Sequence, residues 1–156
     1  MLHRIDGVYP MPDFVLGCKY SEGAVLLYDL KPLFKTIPAF TRLTKQPELY
    51  SQVKVSAGGY GVIWNDSLDL SSEEIWEHGW PNWNSDKLVT IEIEIDSELL
   101  RMMEDILRPY RLRPEDWAVM ALEFCVFPAT QNTAVKMLLG TTDKMEATDQ
   151  SAEKQI

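Results

Sequence analysis

Side chains that carry metal and redox chemistry are scarce in this chain: 156 residues contain two cysteines, Cys18 and Cys125, and two histidines, His3 and His78. The cysteines lie far apart in sequence, which writes no disulfide framework and reads as two buried free thiols. The histidines stand in no ligand spacing, neither a turn apart nor beside a Cys-x-x-Cys pair, so neither a metal site nor a cofactor is expected. No apolar run approaches the roughly 20 residues that span a bilayer, and Met1–Asp6 lacks the apolar stretch of a secretory signal, which points to the cytoplasm and away from the membrane. Basic side chains are also in short supply, 15 against 24 acidic ones, for a net charge of −9. Residues 1–87 carry 8 basic and 11 acidic groups, and residues 88–156 carry 7 and 13. A sequence-independent hold on phosphates needs clustered Lys and Arg, so the charge balance suits a basic protein better than a nucleic acid.

Catalytic signatures are equally thin. There is no Gly-x-Ser-x-Gly elbow, and two histidines leave few bases to activate a hydroxyl. Ala57-Gly-Gly-Tyr-Gly61 is glycine-rich but lacks the lysine and hydroxyl of a phosphate loop, and reads as a hairpin turn. Asp66 and Asp69 flank a turn after Trp64, where two carboxylates could share acid–base work, but no basic or nucleophilic companion lies nearby, and turn chemistry accounts for them. A binding protein is therefore expected ahead of an enzyme.

What is present is the material of a packed core, with 46% hydrophobic and 25% charged residues. Phe14–Tyr20 and Ala24–Tyr28 are β-prone runs joined by Ser21-Glu22-Gly23, the clearest hairpin in the chain. Val53–Val55 and Gly61–Trp64 form a shorter pair, and Pro32, Pro38 and Pro47 punctuate an irregular stretch between the two pairs. One antiparallel sheet of four or slightly more strands is the simplest assembly. Ser71 and Glu74 read as a capping box opening a two-turn helix that Gly79 ends in a left-handed cap. Trp80–Asp86 follows as a connector whose Trp80 and Trp83 are candidate interface anchors.

Beyond the connector, Val89–Asp96 alternates strictly, placing Ile91, Ile93 and Ile95 on one face and Thr90, Glu92 and Glu94 on the other, the pattern of a half-buried strand. Asp96 or Ser97 caps a helix carrying Leu99, Met103 and Ile106, which Pro109 stops. Pro114, with Glu115 and Asp116 in the first turn, opens a second helix lined by Trp117, Met120, Ala121 and Phe124. Val135, Met137, Leu138 and Leu139 form a weak apolar cluster ahead of a polar tail from Thr141. The fold class is α+β, with a β-rich module over 1–80, a connector over 81–87, a strand–helix–helix module over 88–128 and a C-terminal segment over 129–156.

Two resemblances add to this reading. Tyr20-Ser-Glu-Gly23, Tyr28-Asp-Leu30 with Pro32-Leu33, Phe40, Leu43, Tyr50, Val53 and Ile63-Trp-Asn-Asp-Ser-Leu-Asp-Leu70 resemble, in order, the domain-of-unknown-function 2442 family. That is a small bacterial β-rich module often encoded beside toxin–antitoxin-like genes. Ile91–Asp96, the capped Ser97-Glu-Leu-Leu helix and the turn through Leu112-Arg-Pro-Glu-Asp116 are similar to the ribbon-helix-helix unit of RelB- and DinJ-type antitoxins. The second resemblance implies a homodimer whose shared core holds Ile91, Ile93, Ile95, Leu99, Met103, Ile106, Trp117, Met120 and Phe124. It also implies an outward face of Thr90, Glu92 and Glu94, with Arg111 and Arg113 near phosphates, and a toxin-wrapping segment over Thr133–Leu139, with Val135, Met137, Leu138 and Leu139, and the acidic tail. Carboxylates facing a major groove oppose the phosphate field, which speaks against direct DNA reading. The expected function is that of a non-catalytic antitoxin-like or regulatory protein binding a partner, such as a basic toxin. The alternatives are a dimeric scaffold with no DNA role and, behind it, an unrecognised enzyme.

Overall fold

The computed structural model describes residues 1–128. Its architecture is mixed α and β, with two three-stranded antiparallel sheets and six α-helices among the described residues. The first sheet has the order β1 (Ile5–Met11), β2 (Val15–Tyr20), β3 (Val25–Asp29), and the second the order β4 (Lys54–Val55), β5 (Gly61–Asn65), β6 (Leu68–Ser71). Both hairpins read from the sequence are present, β2 with β3 and β4 with β5. The single four-stranded sheet is corrected to two sheets, because Ile5–Met11 adds an edge to the first hairpin and Leu68–Ser71 to the second.

The proline-punctuated stretch is helical, not irregular: α1 (Lys31–Thr36), α2 (Arg42–Lys45) and α3 (Pro47–Ser51) are each a turn or so long. Pro32 and Pro47 sit in first turns, where a missing N–H costs nothing. Helix α4 (Ser72–His78) opens as expected, the Ser71 hydroxyl accepting from the Glu74 amide at 3.2 Å. Gly79 closes it with extended backbone, φ −74° and ψ 164°, in place of the left-handed cap. Both cysteines are free, Cys18 buried and Cys125 half-buried.

The first sheet organises the molecule, because both of its faces are covered. Along β2, Leu16, Cys18 and Tyr20 point into a core shared with the second sheet and its helices, where Phe40, Leu43, Trp64 and Ile75 are buried. Val15, Gly17 and Lys19 point the other way, as alternation along a strand requires. On that side lies a second core built from Val25, Leu27, Leu107, Leu112, Met120, Phe124 and Phe127. This core is supplied largely by α5 (Ser97–Leu107) and α6 (Pro114–Val126), so the C-terminal helices dock on the N-terminal sheet.

Two glycines permit the close approach. A Cβ at Gly17 would lie 2.6 Å from Met120 Sδ, and one at Gly7 would lie 2.5 Å from Leu112 Cδ2 and 2.8 Å from the Arg111 carbonyl oxygen. An ion pair registers the helix on the sheet, with Lys19 Nζ donating to Asp116 Oδ1 at 3.0 Å. Burial alone would raise the Asp116 carboxyl, but hydrogen bonds from the Arg113 and Lys19 side chains and from the Arg113 amide outweigh it and hold the group below its ordinary value. The connector is pinned as well: Trp80 and Leu27 exchange backbone hydrogen bonds of 2.7 and 2.8 Å.

The predicted strand over 89–96 is not part of either sheet. Residues 88–96 pair with no strand among the described residues, and every one of them is exposed. The edges of the first sheet are β1 and β3, and on β3 it is Trp80, ahead of this segment, that bridges to Leu27.

Met120 is wholly buried between α6 and Gly17, so Met120→Ala is expected to lower unfolding stability by about 2–5 kcal/mol. Urea melts followed by tryptophan fluorescence check this, and a loss near zero would show that the helix does not dock there.

Candidate functional site

Neither of two shallow clefts gathers a catalytic set. One, of about 380 Å³, is lined by Ser51, Gln52, Val53, Lys54, Trp64, Pro109 and Tyr110, and the other, of about 370 Å³, by Glu104, Arg108, Leu112, Arg113, Pro114 and Glu115. Asp66 and Asp69 are exposed on the β5–β6 turn, away from both clefts, and the Asn65 side chain closes that turn by accepting from the Ser67 amide at 2.9 Å. His3 stacks on Trp76 with ring centroids 3.6 Å apart, and His78 lies on the exposed side of α4. No group of three or more His, Cys, Asp or Glu side chains converges as a metal site among the described residues.

The feature that stands out is an apolar surface left exposed among the described residues. Val89, Ile91 and Ile93 are 86%, 64% and 61% exposed, and Ile95 is 45% exposed. Leu99, Leu100, Met102 and Ile106 continue the exposure along α5, and Val119, Leu122 and Val126 line the outer side of α6. Helix α5 owes its existence to local chemistry, since Asp96 accepts from the Glu98 and Leu99 amides at 2.9 and 3.2 Å and Arg101 pairs with Glu98. Only Leu107 is buried on it and Met103 half-buried, so most of its apolar side is left to solvent. These residues make up most of the large apolar side chains exposed among the described residues, the others being Met1, Leu2, Ile37, Tyr60 and Leu88.

The nine residues expected to share one dimer core fall into two groups. Met120 and Phe124 are buried, and Met103 and Trp117 half-buried, against the chain's own first sheet. Ile91, Ile93, Ile95, Leu99 and Ile106 remain exposed. Thr90, Glu92 and Glu94 are exposed too. Arg113 is committed to Asp116, donating to its carboxylate from Nε and Nη2 at 3.2 Å each, while Arg111 is exposed with a left-handed backbone at φ 58°. Trp80 packs on Phe127 and Trp83 beside Trp76, so both are half-buried within the chain. Val135, Met137, Leu138 and Leu139 lie outside the described residues.

One residue escaped the sequence reading. Glu123 sits on α6 among Val119, Leu122 and Val126, and its Oε2 is buried without a hydrogen-bond partner among the described residues. Burial pushes its carboxyl from an ordinary 4.5 up to about 8. Burial thus favours the uncharged form of this carboxyl. A lone acidic residue inside Trp117-Ala-Val-Met-Ala-Leu-Glu-Phe124 was the available signal.

Residues 5–79 match the model of a family described as "Protein of unknown function (DUF2442)". The match spans both sheets and α1–α4, and leaves the docked helices and the uncovered surface outside it. No curated protein and no solved structure matches the chain.

A carboxyl with a raised folded-state pKa binds its proton more tightly folded than unfolded, so its contribution to stability falls as pH climbs from about 4.5 to about 8. Glu123→Gln is therefore expected to raise unfolding stability at pH 8 by roughly 1–2 kcal/mol, allowing for partial solvent access, and to change little at pH 4. Urea melts at the two pH values check it. Equal effects at both would remove the shift.

Proposed function

We propose that the protein is a non-catalytic, antitoxin-like regulatory protein that pairs with a second copy of itself and binds a protein partner through residues 88–126. The observation that carries the reading is the run Val89–Ile95, which has the alternation of a strand and four large apolar side chains in solvent, with no strand beside it. A strand in that state leaves its backbone groups and its apolar face to be satisfied by another chain. The succession of unpaired strand, capped helix, turn and second helix has the order of a ribbon-helix-helix unit, and pairing two copies would cover Ile91, Ile93 and Ile95.

The mechanism in this reading is occlusion: the partner's working surface is covered, and no covalent step is involved. The partner chemistry follows from charge. Residues 88–107 hold six acidic side chains against the single basic Arg101, a surface that favours a basic protein. The same residues support a second form of the reading, a dimeric interaction protein with no DNA role. Glu92 and Glu94 would repel a phosphate backbone, and Arg113 is already held by Asp116.

Ile93 is exposed and its side chain supports nothing in the single chain, so Ile93→Lys is expected to keep the fold. Light scattering of the wild type across concentration should give a dimer mass, and Ile93→Lys a monomer mass with an unchanged circular dichroism spectrum. A wild type that stays monomeric at the highest soluble concentration contradicts the proposal.

A further inference from the structure

Ahead of β1, Met1 and Leu2 stand in solvent, but the next residue is held on three sides. The His3 ring lies flat on Trp76, centroids 3.6 Å apart and planes 8° from parallel. His3 Nδ1 is 2.9 Å from Glu22 Oε1, and the His3 backbone N–H donates to Glu73 Oε1 at 2.7 Å. An ionised carboxylate only accepts, so Nδ1 carries a proton and donates in the plane of the ring.

The partners of His3 come from elements that the fold fixes independently of it. Glu22 lies in the turn between β2 and β3, and Glu73 and Trp76 lie three residues apart on α4, so they share one side of the helix. The Trp76 ring is braced by Tyr20, edge-on at 4.9 Å, and by Trp83 at 6.3 Å. Trp76, Glu22 and Glu73 therefore form a platform on which the residue from ahead of β1 is laid.

What the platform selects follows from how it is filled. It takes a flat group that covers the electron-rich face of an indole and directs N–H donors, within its own plane, at a carboxylate. A guanidinium meets both demands more fully than an imidazole, being planar, permanently charged and ringed with in-plane donors. An ammonium is a compact point charge with no face to lay down. Glu73 becomes a second acceptor for such a group once the His3 backbone withdraws. Trp76 and the two carboxylates line neither cleft, and Glu22 is exposed. A free small molecule is ordinarily enclosed over most of its surface, so an open platform suits a side chain that a larger partner presents.

We propose that the Trp76 face, with Glu22 and Glu73, is a binding site for an arginine side chain of a partner protein, and that His3 fills it in the single chain. The site lies within residues 3–83, apart from the surface of residues 88–126. His3 thus acts as a built-in competitor, and an arginine that displaces it gains the indole face and both carboxylates.

The test is NMR of the full-length protein titrated with an acetylated arginine amide. Stacking on Trp76 displaces the His3 ring-proton resonances, and the probe is expected to return them to the unstacked position while moving the Trp76 indole N–H. In His3→Ala the same probe is expected to bind about ten-fold more tightly, the gain for a site that the ring leaves open in about a tenth of molecules. An acetylated lysine amide should bind either protein several-fold more weakly. His3 and Trp76 resonances that stay in place in the wild type, with a Trp76 indole that also ignores the probe in His3→Ala, overturn the site. Lysine amide bound as tightly as arginine amide overturns guanidinium recognition, and an affinity unchanged by His3→Ala overturns the role of His3. The wild-type titration decides the matter alone if His3→Ala does not fold.

Discussion

The seating of α6 on the outer face of the first sheet is the contact on which the rest of the structure depends. Met120 fills the space that Gly17 leaves, Leu112 fills the space beside Gly7, and the Lys19–Asp116 ion pair sets the helix along β2. The chain between Trp80 and Ser97 joins neither sheet among the described residues, apart from the bridge of Trp80 to Leu27. Residues 88–96 and the outer side of each helix remain exposed beside this docked face.

Much of this was legible in the residues. Both hairpins, the Ser71 and Asp96 caps and the Pro114 start are local signals, read from a few adjacent side chains, and the structure has them. What local reading missed has physical reasons. The edge strand Ile5–Met11 contains Gly7 and Pro10, both poor strand formers, and the four-residue β6 is too short for alternation to show. Helices α1–α3 are shorter than two turns, so no 3.6-residue period can develop in them. The divided core had a signal that went unread: Val15-Leu16 and Val25-Leu-Leu-Tyr28 are continuous apolar runs, as strands covered on both faces require. The alternation of residues 89–95 predicts a half-buried strand, and the structure shows neither a strand nor a buried face there, because pairing depends on a neighbour that alternation does not specify.

The uncovered surface combines features that are seldom combined by chance. Its apolar residues alternate with carboxylates along the segment and continue as Val119, Leu122 and Val126 on α6. The acidic groups around it, Glu92, Glu94, Asp96, Glu98, Glu104 and Asp105, are all exposed. In the proposed function, the acidic rim would speed encounter with a basic protein and disfavour a nucleic acid, while the apolar contacts would set how long a complex lasts. The family match over residues 5–79 covers the two sheets and α1–α4 and stops short of this surface.

The central claim is that residues 89–95 form a strand only in the company of another copy. Amide hydrogen exchange of that segment, followed across protein concentration, tests it most directly. Its amides have no backbone acceptor among the described residues of the single chain. They should exchange at near-unprotected rates in dilute solution and slow at least a hundred-fold as the dimer forms, while β2 stays protected throughout. Rapid exchange at every concentration, or protection already present in the dilute monomer, would contradict the account.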